Sequence, residues 1–159
     1  MIMKFTETSS LLPQQKMDIL RLWNDEYPQA LGLDNVEAFD QYLETLSKPS
    51  HILLENEDGI VHGWLVYFIR DDEQCFAMLL NPSLQGKGWG SKFLALAKER
   101  TVELHGWVSD SNLEIKRNGE KYLSPVGFYV KNGFEVRPAI RVMKKNINGI
   151  RVSWRSPAT

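Results

Sequence analysis

Three glycines at alternate positions, Gly86, Gly88 and Gly90, separate an apolar run from a stretch of helical periodicity in AMLLNPSLQGKGWGSKFLALAKER, residues 77 to 100. A residue without a β-carbon lets a bulky ligand come against the main chain. The first amides of a helix lack intrahelical acceptors and sit at the positive end of its dipole, so a glycine turn that feeds a helix suits phosphate oxygens. Lys87 and the Ser91 hydroxyl add donors. The spacing GKGWG is neither GxGxxG nor GxxxxGK followed by Ser or Thr, which weakens a dinucleotide-fold or P-loop reading. A tight turn with a purely structural role is the competing one.

Other reactive residue types carry less. Cys75 is the single cysteine and is followed by Phe76 and Ala77, so a buried, inert thiol is expected. His51 and His62 lie in or beside expected strands, without a Cys/His cluster or HxxxH spacing, and no metal is expected. Trp64 and Trp154 read as core or sheet-face residues.

The elements that must position the glycine turn follow from periodicity and punctuation. Residues 1 to 10 read as an opening strand. Pro13 suits the first turn of a helix, Met17, Leu20, Trp23 and Tyr27 recur at helical spacing, and Pro28 stops it. Asp34 or Asn35 caps a second helix with Val36, Phe39, Leu43 and Leu46 on one face. HILLEN (51 to 56) and IVHGWLVYFIR (60 to 70) pair across Glu57-Asp58-Gly59, and QCFAMLL (74 to 80) continues the meander after a turn at 71 to 73. After the glycines a helix runs to about Glu103, and a short strand surrounds Trp107 and Val108. Asn118-Gly119 marks a turn inside a polar excursion. Residues 124 to 136 form a short helix ended by Gly133 and a strand entered at Phe134. A last antiparallel pair turns near 146 to 149. Two segments have strand-helix-strand order, which argues for a mixed α/β sheet in one domain spanning 1–159.

Composition bounds the partners. The chain has 159 residues, 43% hydrophobic and 25% charged, enough for one core. Its 19 basic and 20 acidic side chains are scattered, so no nucleic-acid partner is expected. No apolar run approaches the ~18 residues needed to span a bilayer, and MIMKFTETSS lacks a signal-peptide pattern, so no membrane partner and a cytoplasmic location are expected.

The whole stretch resembles the signature of the GNAT superfamily of N-acetyltransferases. Gln85 to Gly90 form a Q-x-x-G-x-G after an apolar strand and before a helix with Phe93, Leu94 and Ala97 facing inward, and GFYVKNGFE (127 to 135) looks like the later family helix, with a tyrosine before a Gly-Phe pair. The resemblance runs from Ile60 to Val136. It implies a GNAT-like α/β (α+β mixed) fold: a central, mostly antiparallel mixed sheet of six to seven strands, splayed in the middle and flanked by about four helices.

The resemblance also implies roles. Acetyl-coenzyme A would be the co-substrate, with Met78, Leu79 and Leu80 holding its pantetheine arm by backbone hydrogen bonds and Gln85, Gly86, Lys87, Gly88, Trp89, Gly90 and Ser91 contacting its pyrophosphate. Asn112, four positions after Val108, would be either a cofactor ligand or a turn former. Tyr129 would be the general acid. Trp23, Glu26 and Tyr27 lie on the early helices that form one side of the acceptor site, where a small-molecule or peptide amine would bind. Two departures stand out. Seventeen positions separate Asn112 from Tyr129, and the excess, EIKRNGEKYLSP, is a candidate wall for the acceptor pocket. Trp107 stands where some members place an acidic residue, so no base carries over, and Asp110, Glu73, Asp72 or a histidine, through water, stays open. The expected activity is direct acetyl transfer to a primary amine in a ternary complex; the alternative is an acyl-coenzyme A binding or sensing domain without turnover. A homodimer is permitted by edge strands but not required.

Overall fold

A computed structural model describes residues 2–109, 115–144 and 147–157. The chain begins with β1 (Met3–Thr8) and α1 (Pro13–Glu26). Pro13 occupies the first turn of α1, and Gln15 reaches back to accept from the Leu12 amide at 2.8 Å. A 3₁₀ turn (Gln29–Leu31) leads to α2 (Val36–Glu44), capped by Asn35, whose Oδ1 accepts from the Ala38 amide at 2.9 Å. The meander is β2 (Ser47–Asn56), β3 (Val61–Arg70) and β4 (Glu73–Leu80). Then come α3 (Trp89–Arg100), β5 (Glu103–Ser109), α4 (Val126–Lys131), β6 (Glu135–Lys144) and β7 (Ile147–Arg155).

Several boundaries move from their expected places. β2 starts at Ser47 because Lys48, at φ +50°, takes up a register shift that lets the chain pair before His51. Glu73 belongs to β4 rather than to the preceding turn. Helix α3 stops at Arg100: Thr101 is extended, and its hydroxyl donates to the Ala97 carbonyl at 2.8 Å, so Glu103 starts the next strand. β7 begins at Ile147, which puts Gly149 inside the strand opposite Val142. The last turn of α4 closes as read from the sequence. Gly133 is left-handed at φ +86°, and the Phe134 amide donates back to the Tyr129 carbonyl at 3.0 Å.

The seven strands form one sheet in the order β1-β2-β3-β4-β5-β7-β6. Every neighbouring pair is antiparallel except β4 and β5, which run parallel. Alternation along the strands divides the core between the two faces. Leu53, Trp64 and Val66 meet Ile19, Trp23 and Phe39 of α1 and α2, whereas Ile52, Leu54 and Leu65 meet Phe93, Leu94 and Ala97 of α3. Cys75 and His51 are buried, and His51 Nδ1 accepts from the Trp64 indole at 3.0 Å. Burial pushes the His51 pKa down to about 4. No helix among the described residues is long and apolar enough to cross a membrane.

Candidate active site

The parallel pair at the centre of the sheet is joined by one registered pair, Cys75 opposite His105, while β3 follows β4 along its whole length from Gly63 opposite Leu80 to Arg70 opposite Glu73. Beyond Cys75 the two strands diverge. Phe76 lays its ring against Gly106, where an added Cβ would lie 2.8 Å from it. The fork opens into a cleft of about 620 Å³, with Phe76 to Leu80 on one wall and Gly106 to Val108 on the other.

The glycine turn closes one end of this cleft. Asn81 Oδ1 accepts from the Ser83 amide at 3.0 Å and starts a 3₁₀ turn (Pro82–Leu84), and the Gln85 side-chain amide braces the loop by donating to the Leu80 carbonyl at 3.1 Å. Gly86 and Gly88 are left-handed, at φ +75° and +87°, and a Cβ on either would meet nothing within 4 Å. Among the described residues, no backbone carbonyl accepts a well-formed hydrogen bond from the amides of Gly86 to Ser91. Gly90 has a different reason to be glycine: a Cβ there would lie 2.9 Å from the Phe128 ring. Small size at position 90 lets α3 start directly against α4.

Of the residues singled out in the sequence, Met78, Leu79, Leu80, Gln85, Gly86, Gly88, Gly90, Ser91, Glu26, Tyr27 and Tyr129 come together on the cleft wall. Lys87 is exposed and lies off that wall. Trp89 packs on Phe5 at 5.9 Å between centroids, with Lys92 Nζ over its ring at 4.4 Å. Trp23 is core. Its indole donates to the Leu31 carbonyl at 2.8 Å, and its ring is 4.8 Å from both Tyr27 and Tyr42. Asn112 and Asp110 lie outside the described residues.

Tyr129 is buried at the edge of the cleft, with its ring tilted against Phe76 and Phe134 at centroid distances of 5.6 and 5.4 Å. Burial, helped by the nearby Tyr122 phenol, pushes its pKa well above the ordinary 10. Burial does the same to Tyr27, reinforced by the Tyr42, Tyr122 and Tyr129 phenols. Tyr122 lines the same cleft and has no sequence signal beyond its place in the polar excursion.

That excursion is strapped to the end of α1. The Gln29 amide donates to the Ile115 carbonyl at 2.8 Å, Pro28 and Lys116 form a bridge, and the Asn118-Gly119 turn is closed by the Gly119 amide donating to the Lys116 carbonyl at 3.0 Å. Across the strap, Lys116 Nζ donates to Glu26 Oε1 at 3.1 Å, with the two side chains 18% and 10% exposed. Burial raises the Glu26 pKa above the ordinary 4.5, and Lys116 pulls against that rise without cancelling it. A second cavity of about 600 Å³ lies beyond this pair, between α1, residues 60 to 62 and the strap. Glu26, Lys116 and Glu120 line both cavities.

The other candidate proton acceptors lie elsewhere. Glu73 is at the opposite end of β4 from the glycine turn, where Arg151 Nη1 donates to its carboxylate at 3.0 Å; Asp72 is in the adjacent turn, and His51 is in the core. His62 is flanked by the Asn56 and Asn81 amide groups and lines the second cavity. Glu73, Glu103 and His105 bring donor atoms within 4.8 Å of one another, but Arg151 and Arg155 already balance both carboxylates.

Comparison with known proteins agrees with the geometry. A family model for the acetyltransferase (GNAT) domain matches residues 48–136. No curated protein matches the chain by sequence. Among solved structures, a provisionally assigned acetyltransferase of Acinetobacter baylyi ADP1 aligns with a TM-score of 0.69 at 14% identity, covering 99% of this chain and 97% of its own. A variant of the spermidine N-acetyltransferase of Vibrio cholerae aligns at 0.65 and 13%, covering 96% and 93%. A GNAT superfamily phosphinothricin acetyltransferase of Sinorhizobium meliloti, in complex with acetyl-coenzyme A, aligns at 0.61 and 11%, covering 96% and 88%.

Proposed function

The chain belongs to the GNAT acetyltransferase family, and from that premise we propose that it transfers the acetyl group of acetyl-coenzyme A to a primary amine by direct attack within a ternary complex. The observation that carries this reading is the pairing of bare amides on a left-handed glycine turn with an unzipped strand edge on the same cleft. The residues fit the co-substrate. The turn from Gly86 to Ser91 offers main-chain donors and a helix start to a diphosphate, Lys121 and Lys131 add positive charge to the wall, and the edge of β4 from Met78 to Leu80 accepts an extended amide-bearing arm as an added strand would. Bound there, acetyl-coenzyme A supplies an activated acyl carbonyl on a thiol leaving group.

The chain's own groups then handle two protons. An alkylammonium, with a pKa near 10, must lose one before its nitrogen attacks. Glu26 faces the cleft, and burial makes it more basic than an exposed carboxylate, so it takes that proton. A new N–C bond forms as the C–S bond breaks, and Tyr129, held protonated by burial, gives its proton to the departing sulfur. The strap from Ile115 to Tyr122 excludes water over the reacting end.

The test is calorimetry with coenzyme A followed by a thiol-release assay with a panel of amines. Binding with turnover supports the transferase. Binding without turnover for any amine leaves an acyl-coenzyme A binding domain, and absence of binding removes both.

A further inference from the structure

We infer that the acceptor is a zwitterion, a small molecule that carries a carboxylate beside the amine it offers, in the manner of a free amino acid. The inference rests on the transferase reading above and deepens it.

The argument starts from the charges at the junction of the two cavities. Glu26 and Lys116 are the nearly buried ion pair there, and they satisfy each other at 3.1 Å. A simple alkylammonium that takes Glu26 as its counter-ion competes with Lys116 for it and sets two ammonium groups on one nearly buried carboxylate, which is a costly arrangement. A polyamine places further positive charge near Lys116, Arg21 and Arg117, which line the adjoining cavity. Of the four carboxylates among its described lining residues, Asp18, Asp25 and Glu26 are already engaged, which leaves Glu120 to repay it. Asp18 accepts from the Val61 amide at 3.1 Å and from Gln14 at 3.0 Å, and Asp25 faces Arg117 at 3.7 Å.

A zwitterion resolves the conflict. Its ammonium replaces Lys116 on Glu26 while its carboxylate replaces Glu26 on Lys116, so one internal ion pair becomes two across the ligand and no buried charge is stranded. The same exchange presents the amine to the carboxylate that removes its proton. Lys116 is thus a specificity-determining residue: it holds the acceptor's carboxylate and takes no part in the chemistry.

The test is initial-rate thiol release at saturating acetyl-coenzyme A, comparing free L-amino acids with their α-carboxamides, with alkylamines and with spermidine. Free amino acids are expected to exceed their own carboxamides in kcat/KM by about 30-fold or more, the scale of stranding one partner of a buried charge pair. Lys116→Met should collapse that ratio towards one, and Lys116→Arg should restore much of it. The wild-type comparison needs no variant, so a misfolded Lys116→Met protein does not spoil it. Equal rates for amino acids and carboxamides, or a clear preference for alkylamines or spermidine, overturn the zwitterion while leaving the transferase intact. Coenzyme A binding with no turnover on any member of the panel overturns both.

Discussion

The Phe76 ring lies over Gly106, one residue past the Cys75–His105 pair on each strand, and sits where a side chain on β5 would otherwise be. Phe76 also touches Tyr129, so the wedge that starts the fork is packed against the residue assigned the acid role. Strand divergence and the placement of the proposed acid share one aromatic contact.

Gly106→Ala should therefore disturb both. With a Cβ 2.8 Å from the ring, Phe76 must move, and overpacking of this kind costs about 1–3 kcal/mol. We expect a lower Tm in calorimetry together with weaker acetyl-coenzyme A binding. A variant that binds as tightly as wild type would show that the wedge does not set the slot.

The closed end of the fork is held by Glu73, which accepts from Arg151 across the sheet, and that contact holds the Glu73 pKa below the ordinary 4.5. A depressed carboxylate stabilises fully above its unfolded pKa and loses that contribution as pH falls through its folded value. Glu73 is about a third exposed, so solvent screening limits the pair to about 1 kcal/mol, or about 2 to 4 °C in Tm for a chain of this size. Arg151→Leu should show that deficit at neutral pH, and the gap to wild type should narrow below pH 4.5. A gap that is constant from pH 7 to 3 would assign the loss to packing.

Much of this layout could be read from the residues. Asn35, Pro13 and Gly133 each act through local backbone chemistry, so the caps and stops they signal appear where the helices begin and end. The glycine turn is local for the same reason. The fork is not, because it lies in the register between strands thirty residues apart, and only the family resemblance implied it. The Glu26–Lys116 pair joins residues ninety positions apart and left no periodic trace. Trp23 shares a helical face with Tyr27, yet α1 ends at Glu26: Trp23 turns into the aromatic core, and Tyr27, extended at the helix end, reaches the cleft wall. Lys87 and Trp89 fit the motif by position alone, since alternation around a turn sends neighbours in different directions.

The three glycines should separate by substitution. Gly88→Ala must hold a left-handed residue, which costs about 1 kcal/mol, but it meets no neighbour, so folding should survive; Gly88→Glu adds a charge facing the diphosphate and should abolish acetyl-coenzyme A binding in calorimetry. Gly90→Ala instead collides with Phe128, so its main effect should be on Tm. Equal binding losses with unchanged stability in Gly88→Glu and Gly90→Ala would contradict this division.

Tyr129→Phe should lower kcat by about 100-fold with little change in coenzyme A affinity, since it removes a proton donor and keeps the ring contacts with Phe76 and Phe134. Because burial raises its pKa well above 10, Tyr129 stays protonated over the working range. The wild-type rate should accordingly show no fall between pH 8 and 10 that vanishes in the Phe variant. If kcat is unchanged in single-turnover measurements, the acid is another group.

Glu26→Gln isolates the proton acceptor. Glutamine keeps the shape and an oxygen for Lys116 but has negligible basicity, so acetyl-coenzyme A should bind as before while kcat/KM for the amine falls by about 100-fold or more. The pH profile gives a second reading. Burial raises the Glu26 pKa above 4.5, so wild-type activity should rise as that carboxylate ionises, and the variant should lose this limb while keeping the steeper rise set by the amine near its own pKa. Identical profiles for the two proteins, measured with an amine of low pKa so that its titration lies apart, would mean that the proton leaves by another route and that Glu26 only positions the acceptor.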